Sequence, residues 1–284
     1  MAKTEQVGST SNIHLRGMLL DVLELAFPPE EIGTDKLSQF YLELHQKEMA
    51  KKHGDYNLDT HLIRLFNLSR PYKHIIISGL HELAHHIEAT LHGETKHQER
   101  FYGYLHQLML TAMSMEIITK MDAIDEQANP DLDKLEKFFG KIAYWQFNKI
   151  PYKQNKCHIR ILRAYEWRDI LKGFGYSYLT LEQVWMKEFE IANQQVEVDA
   201  LMALGIPKNN IVIQSATEIE ADFFYYLVMR NAYDHREYLR SIGYRYGGYG
   251  KGDRNWVKKI MARDLAAEKE LVANLMGVAA KVMR

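Results

Sequence analysis

Residues 71–93 read PYKHIIISGLHELAHHIEATLHG. The stretch has the start and stop of a helix. Ser69 followed by Pro71 opens it, because a proline at the first position lacks only a donor that the first turn leaves unused, and Gly93 closes it. The helix is expected to run from about Tyr72 to His92. Ile76, Leu80, Ala84 and Ile87 recur at helical spacing and predict a buried face. Beside that face stand His81 and His85, four residues apart and therefore one turn above each other, with Glu82 adjacent.

His81-Glu82-Leu83-Ala84-His85 is an H-E-x-x-H motif. Two imidazoles at i and i+4 can both reach one zinc ion at about 2.0 to 2.1 Å. Glu82 projects beside them, where it can take a proton from a water that zinc acidifies toward a pKa of about 7 and later hand it to a leaving amine. Catalytic zinc takes three protein ligands and keeps one position open. His86 points away from the chelating face, and His92 lies about 10.5 Å beyond His85 along the axis. His97 is the third ligand the sequence favours. Gly93 lets the chain reverse, residues 94–96 can span about 10 Å back, and His97 falls in the first turn of the next helix. Glu99 and His106 are the weaker candidates. The single cysteine, Cys157, excludes an intrachain disulfide and a multi-cysteine zinc ribbon.

Working outward, the first dozen residues are polar and read as frayed. A helix is expected over Leu15 to Ala26, an amphipathic helix over Asp35 to Lys52 and a short strand over His61 to Asn67. Thr95 and Gln98 form a capping box for a helix continuing to about Met121. Gln127 to Pro130 reads as a loop, and Asp133 to Asn148 as a further helix. No apolar run approaches the roughly 20 residues that span a bilayer, and Asp21 and Glu24 interrupt the early apolar stretch. A cytoplasmic location with no membrane partner is the expectation.

The strand region Tyr56 to Asn67, the helix with His81-Glu82-Leu83-Ala84-His85, and His97-Gln98-Glu99-Arg100-Phe101 together resemble SprT-like zinc metallopeptidases over roughly residues 15–120. In that family the third zinc-binding histidine precedes a phenylalanine by four residues, which His97 and Phe101 match. The resemblance implies a zinc peptidase, with members that act on proteins held on DNA. The chain lacks the four-cysteine ribbon of longer members and has Lys96-His97 where H-G usually precedes the ligand.

Beyond Pro151 the chain repeats itself. Ala164-Tyr165-Glu166-Trp167-Arg168-Asp169-Ile170-Leu171-Lys172, then Gly175-Tyr176-Ser177-Tyr178 and Trp185-Met186-Lys187, returns as Ala232-Tyr233-Asp234-His235-Arg236-Glu237-Tyr238-Leu239-Arg240, then Gly243-Tyr244-Arg245-Tyr246 and Trp256-Val257-Lys258. The copies lie 68 residues apart until a Gly-rich insertion of three residues in the second, which a hairpin turn can absorb. Each reads as helix, strand, turn, strand and helix, the last over Val196 to Leu204 and Ala266 to Met276. Residues 1–140 carry 14 Lys and Arg against 21 Asp and Glu, and residues 141–284 carry 22 against 16. Aromatics on adjacent strands usually form a core. The alternative is a platform for single-stranded nucleic acid built from Tyr176, Tyr178, Tyr244, Tyr246 and Trp256 with Arg245, Lys251, Arg254, Lys258 and Lys259.

The chain is therefore expected to be α+β. A mainly helical, zincin-like domain with a short sheet (1–150) precedes two small α+β repeat modules, 151–214 and 215–284, packed side by side. The leading function is a zinc endopeptidase with Glu82 as base and His81, His85 and His97 as ligands. It would act on a protein or peptide held as an added strand against His61 to Asn67, with Tyr102 or Tyr104 as candidate oxyanion donor. Two other functions stay open. One is a nucleic-acid or protein-binding module stapled by structural zinc. The other is a metal-dependent nucleic-acid hydrolase, against which Leu91 stands where tri-histidine endoribonucleases place their third ligand.

Overall fold

The computed structural model describes residues 10–28, 36–125, 130–216, 223–247, 254–275 and 278–283, and it is mixed α+β. Helix α1 (Thr10–Ala26) begins earlier than the periodicity suggests. Leu15, Leu19, Val22 and Leu23 are buried on its inner face, and Leu25 is exposed.

The helix expected over Asp35 to Lys52 is not formed by the described residues of that stretch. Tyr41–Leu44 is strand β1, with Leu42 and Leu44 buried. It is followed by β2 (Gly54–Asn57) and β3 (Leu62–Leu65) in a sheet of order β1-β3-β2. β1 runs parallel to β3 and β2 antiparallel to it. Pairing with a distant strand satisfies the β1 backbone, and this tertiary gain overrides a local helical period. Residues 45–53 form an irregular rim tied down by buried Asn67, whose amide donates to the carbonyls of Met49 and Lys52 at 3.0 and 3.2 Å.

α2 (Tyr72–His92) has the expected bounds, with Gly93 at φ 75° as its left-handed cap. α3 (Glu99–Ser114) starts after the proposed capping box and stops short of Met121. Gln98 makes no side-chain cap bond. A separate helix, α4 (Lys120–Asp125), follows, capped reciprocally by Thr119 and Asp122. α5 (Pro130–Phe139) begins at Pro130 and ends at Gly140, whose φ of 79° stops the helix expected to reach Asn148. Residues 127–129 of the expected loop lie outside the described residues.

The second half contains β4 (Lys156–Leu162), α6 (Arg168–Gly173), β5 (Ser177–Leu179), β6 (Val184–Glu190), α7 (Gln194–Ala203) and β7 (Ile211–Ser215). The same series returns as β8 (Phe224–Arg230), α8 (Arg236–Ser241), β9 (Arg245–Tyr246), β10 (Trp256–Met261), α9 (Leu265–Ala273) and β11 (Ala279–Met283). The sheets share one order, β5-β6-β4-β7 and β9-β10-β8-β11. The register repeats as well: Trp185 faces Ile161 as Trp256 faces Met229. Each unit is thus larger than the sequence repeat suggests. Its central strand, β4 or β8, precedes the recognisable residues, and its last strand follows the second helix.

The two copies are seated differently. The first has its own cores around Ile159, Leu171 and Trp185 and around Leu179 and Val184. The second shares one apolar cluster with α1, the three-stranded sheet, α2 and α3. Tyr225 OH donates to Glu48 at 2.6 Å, and Gln46 Nε2 donates to the Phe224 carbonyl at 2.5 Å. Among the described residues no helix is long and apolar enough to cross a membrane.

Candidate metal centre

His81 and His85 leave α2 on one face, as their spacing requires. His97 returns to them from the turn before α3. Its Nε2 lies 3.1 Å from His81 Nε2 and 3.1 Å from His85 Nε2. Three nitrogens so placed fit one metal ion, since tetrahedral ligands at about 2.0 to 2.1 Å stand about 3.3 Å apart. Burial lowers the His81 pKa to about 4, with His97 adding and Asp131 opposing. Burial, then His81 and His97, lowers that of His85 to about 2. Both rings are therefore neutral near pH 7, which is the form that binds metal.

Side chains that the motif does not include hold the ligands in place. His85 Nδ1 lies 2.6 Å from Thr95 Oγ1. In the tautomer that leaves Nε2 free for metal, Nδ1–H donates to that hydroxyl. Thr95, expected to cap a helix, instead orients a ligand. Glu88 is buried one turn past His85, accepting from the Lys96 amide at 2.8 Å and from Arg100 Nε at 2.9 Å. It thereby fixes the turn that delivers His97. Phe101, fully buried, packs its ring against all three imidazoles at 4.3 to 5.0 Å between centroids. This contact is the physical content of the H-x-x-x-F spacing.

Glu82 is buried beside the ligands and lies against Gly54 at the start of β2. A Cβ on Gly54 would stand 2.7 Å from Glu82 Oε1, so only glycine leaves the carboxylate its place. Burial raises the Glu82 pKa to about 8, Asp55 and Asp131 add to the rise, and Lys52 opposes it. A divalent cation at the histidines acts in the opposite direction and favours the ionised form.

Asp131, from α5, completes the surroundings and was missed in the sequence. Its Oδ1 accepts from Tyr102 OH at 2.7 Å, and its Oδ2 is 3.9 Å from both His81 Nδ1 and His97 Nε2. Among the described residues His81 Nδ1 is buried with no hydrogen-bond partner, and this carboxylate is the negative charge beside it. No spacing rule connects residue 131 to residue 81, so no sequence signal pointed to it.

The three histidines, Glu82 and Asp131 line a cavity of about 400 Å³ together with Ser78 of α2 and the segment Lys51 to Tyr56. The strand expected to receive substrate, His61 to Asn67, cannot do so, because β3 is central and paired on both sides. The edge strand on the cavity is β2. The weaker ligand candidates lie elsewhere: Glu99 is outside the cluster, and His106 stacks on Phe139 at 4.2 Å. His86 makes a 3.0 Å hydrogen bond with the Leu37 carbonyl, as a residue off the chelating face should. Of the oxyanion candidates, Tyr102 is bound to Asp131, and Tyr104 meets His92 at 2.9 Å outside the cavity.

The repeat aromatics follow the core reading more than the alternative of a stacking platform. Tyr176, Tyr244 and Trp256 are buried, and Lys258 is paired with Glu268 at 2.7 Å. Lys251 lies outside the described residues. Comparison of the chain with protein-family models, curated proteins and solved structures found no match.

Proposed function

We propose that the chain is a zinc-dependent peptidase in the manner of the SprT-like enzymes, with residues 1–150 as catalytic domain and modules 151–214 and 215–284 appended. The observation that carries this reading is the convergence of His81, His85 and His97 with a buried glutamate, Glu82, held beside them by Gly54. A zinc ion bound to the three imidazoles would supply Lewis acidity for a carbonyl and a lowered water pKa. Glu82 takes the proton from the attacking water and delivers it to the departing amine. Strand β2 is an edge strand whose Gly54, Asp55 and Tyr56 line the cavity, and an extended peptide can add to such an edge as a further strand. Asp131 Oδ2, 3.9 Å from His81 Nδ1, sets a negative charge beside that ring and favours the tautomer that leaves Nε2 facing the metal position.

A purely structural zinc has no use for a base, so the placement of Glu82 favours catalysis over a staple. The test compares zinc-loaded parent and Glu82→Gln chains on unfolded protein substrates, with zinc content measured in both. Glu82→Gln is expected to keep its zinc and lose about 10² to 10⁴ in rate. A zinc-loaded parent that leaves every unfolded substrate intact, or a variant as active as the parent, overturns the reading.

A further inference from the structure

A residue kept in both copies of a duplicated unit is kept for packing, for backbone geometry or for something outside the chain. Most shared positions here belong to the first two groups. Ala164 and Ala232, Leu171 and Leu239, Tyr176 and Tyr244, and Trp185 and Trp256 are all buried. Gly175 and Gly243 sit at φ +81° and +92°, which side chains avoid. Tyr178 packs on Trp185 and Tyr246 on Trp256, at 5.1 and 5.4 Å between centroids. Lys187 and Lys258 each lie 5.6 Å from the ring of a buried tyrosine, while their ammonium groups donate to the Phe174 carbonyl and to Glu268.

Two shared residues have neither explanation. Tyr165 and Tyr233 are 67% and 65% exposed. Each opens a single 3₁₀ turn ahead of a short helix, α6 or α8. Each carries a guanidinium over its ring, Arg168 at 5.1 Å and Arg236 at 5.0 Å from the centroid. Neither phenol hydroxyl is hydrogen-bonded among the described residues. The arrangement is thus an exposed ring covered on one side by a planar cation, built twice from the same sequence element.

We propose that the Tyr165–Arg168 and Tyr233–Arg236 pairs are two equivalent stacking platforms for the unpaired bases of a single-stranded nucleic acid. The uncovered ring face takes a base, and the guanidinium brings positive charge to the neighbouring phosphate. Arg163 and Lys172 flank the first pair, and Arg230 and Arg240 the second. Each segment then holds three cations against two carboxylates, Glu166 and Asp169 or Asp234 and Glu237. This positive balance, in the half of the chain that is cationic overall, favours a polyanion over an acidic-site-seeking protein partner. None of these residues lines the metal cavity, so the proposal stands apart from the peptidase reading.

The experiment titrates the full chain into fluorescein-labelled homopolymeric DNA and RNA oligonucleotides, single-stranded and duplex, and follows anisotropy. The parent is expected to bind single strands in preference to duplex, with affinity falling steeply as salt rises. Tyr165→Ala and Tyr233→Ala should each weaken binding by about tenfold, while Tyr165→Phe and Tyr233→Phe retain it, since stacking needs the ring and not the hydroxyl. Circular dichroism and zinc content should match the parent in all four variants. The proposal is overturned if the parent binds no single strand at low salt, if it prefers duplex, or if the doubly alanine-substituted chain binds as the parent does. A protein partner for the two pairs would then be the remaining role.

Discussion

Helix α2 and the duplicated modules both announce themselves by short patterns of histidine or aromatic residues, but the patterns have different physical causes. In α2 the polar residues of the motif gather at one point. Their neighbours Thr95, Glu88, Phe101 and Asp131 serve to hold them there. In the modules the repeated Gly-Tyr-x-Tyr and Trp-x-Lys signatures turn inward and build the core that makes each unit fold. A pattern points to chemistry when packing does not account for its residues. By that criterion the α2 motif qualifies, the inner aromatics do not, and the exposed Tyr–Arg pairs do.

The largest expected break of this contrast is at the metal. His85→Ala should abolish the one-per-chain zinc content expected of the parent, as read by elemental analysis of dialysed protein. Replacing an inner aromatic, as in Trp185→Ala, should leave zinc content unchanged and lower stability by about 3 to 5 kcal/mol. Equal zinc in the His85→Ala chain would refute the assignment of the three ligands.

The next effect concerns Asp131. Asp131→Asn keeps the shape of the side chain but removes the negative charge that stands 3.9 Å from His81 Nδ1. Zinc affinity, measured by competition with a chromophoric chelator, should fall by about 10- to 100-fold. An unchanged affinity would leave Asp131 as a partner of Tyr102 alone.

A third prediction uses pH to separate the regions. His14 on α1 and His158 on β4 meet edge to face at 5.2 Å. Burial first, then His158, Lys153 and Arg160, lowers the His14 pKa to about 4, with Glu188 opposing. Between pH 6.5 and about 4 the unfolded chain therefore binds a proton that the folded chain refuses, so stability falls as pH falls through that window. The contribution is on the order of 1 to 3 kcal/mol. His14→Leu should reduce the slope of the melting temperature against pH over that range, with His81 and His85 among the groups supplying the remainder, and a variant with the parent's slope would show that His14 contributes nothing.

The smallest effect tests how the second module is seated. Tyr225→Phe deletes the bond to Glu48 and should cost about 1 to 2 kcal/mol. It should also raise hydrogen exchange in residues 45–53, the rim above the metal cavity. Tyr176→Phe deletes a bond internal to the first module, to Glu197 at 2.9 Å. It should cost a similar amount without affecting that rim.

Much of the site was legible because it rests on local geometry. The i, i+4 spacing of His81 and His85, the reversal at Gly93 and the return of His97 within a dozen residues depend on chain dimensions that hold in any helix hairpin. The bounds of α2 followed from Pro71 and Gly93 for the same reason. The repeat also revealed the duplicated units, though not their central strands. Lys156–Leu162 and Phe224–Arg230 share position and register but little side-chain identity.

What the sequence determined by itself was the set of three histidines close enough to hold a metal ion, the glutamate beside them and the duplication of the C-terminal element series. These follow from spacings shorter than a helix hairpin or from a direct self-comparison. Tertiary structure alone decided that Tyr41–Leu44 is a strand, that β2 and not β3 is the edge on the cavity, and that Gly54 makes room for Glu82. It also brought Asp131 to His81 and decided which shared tyrosines turn out to solvent. Each of these depends on which distant segment arrives beside a residue. That is settled by burial and backbone pairing summed over the whole chain, not by any neighbour in sequence.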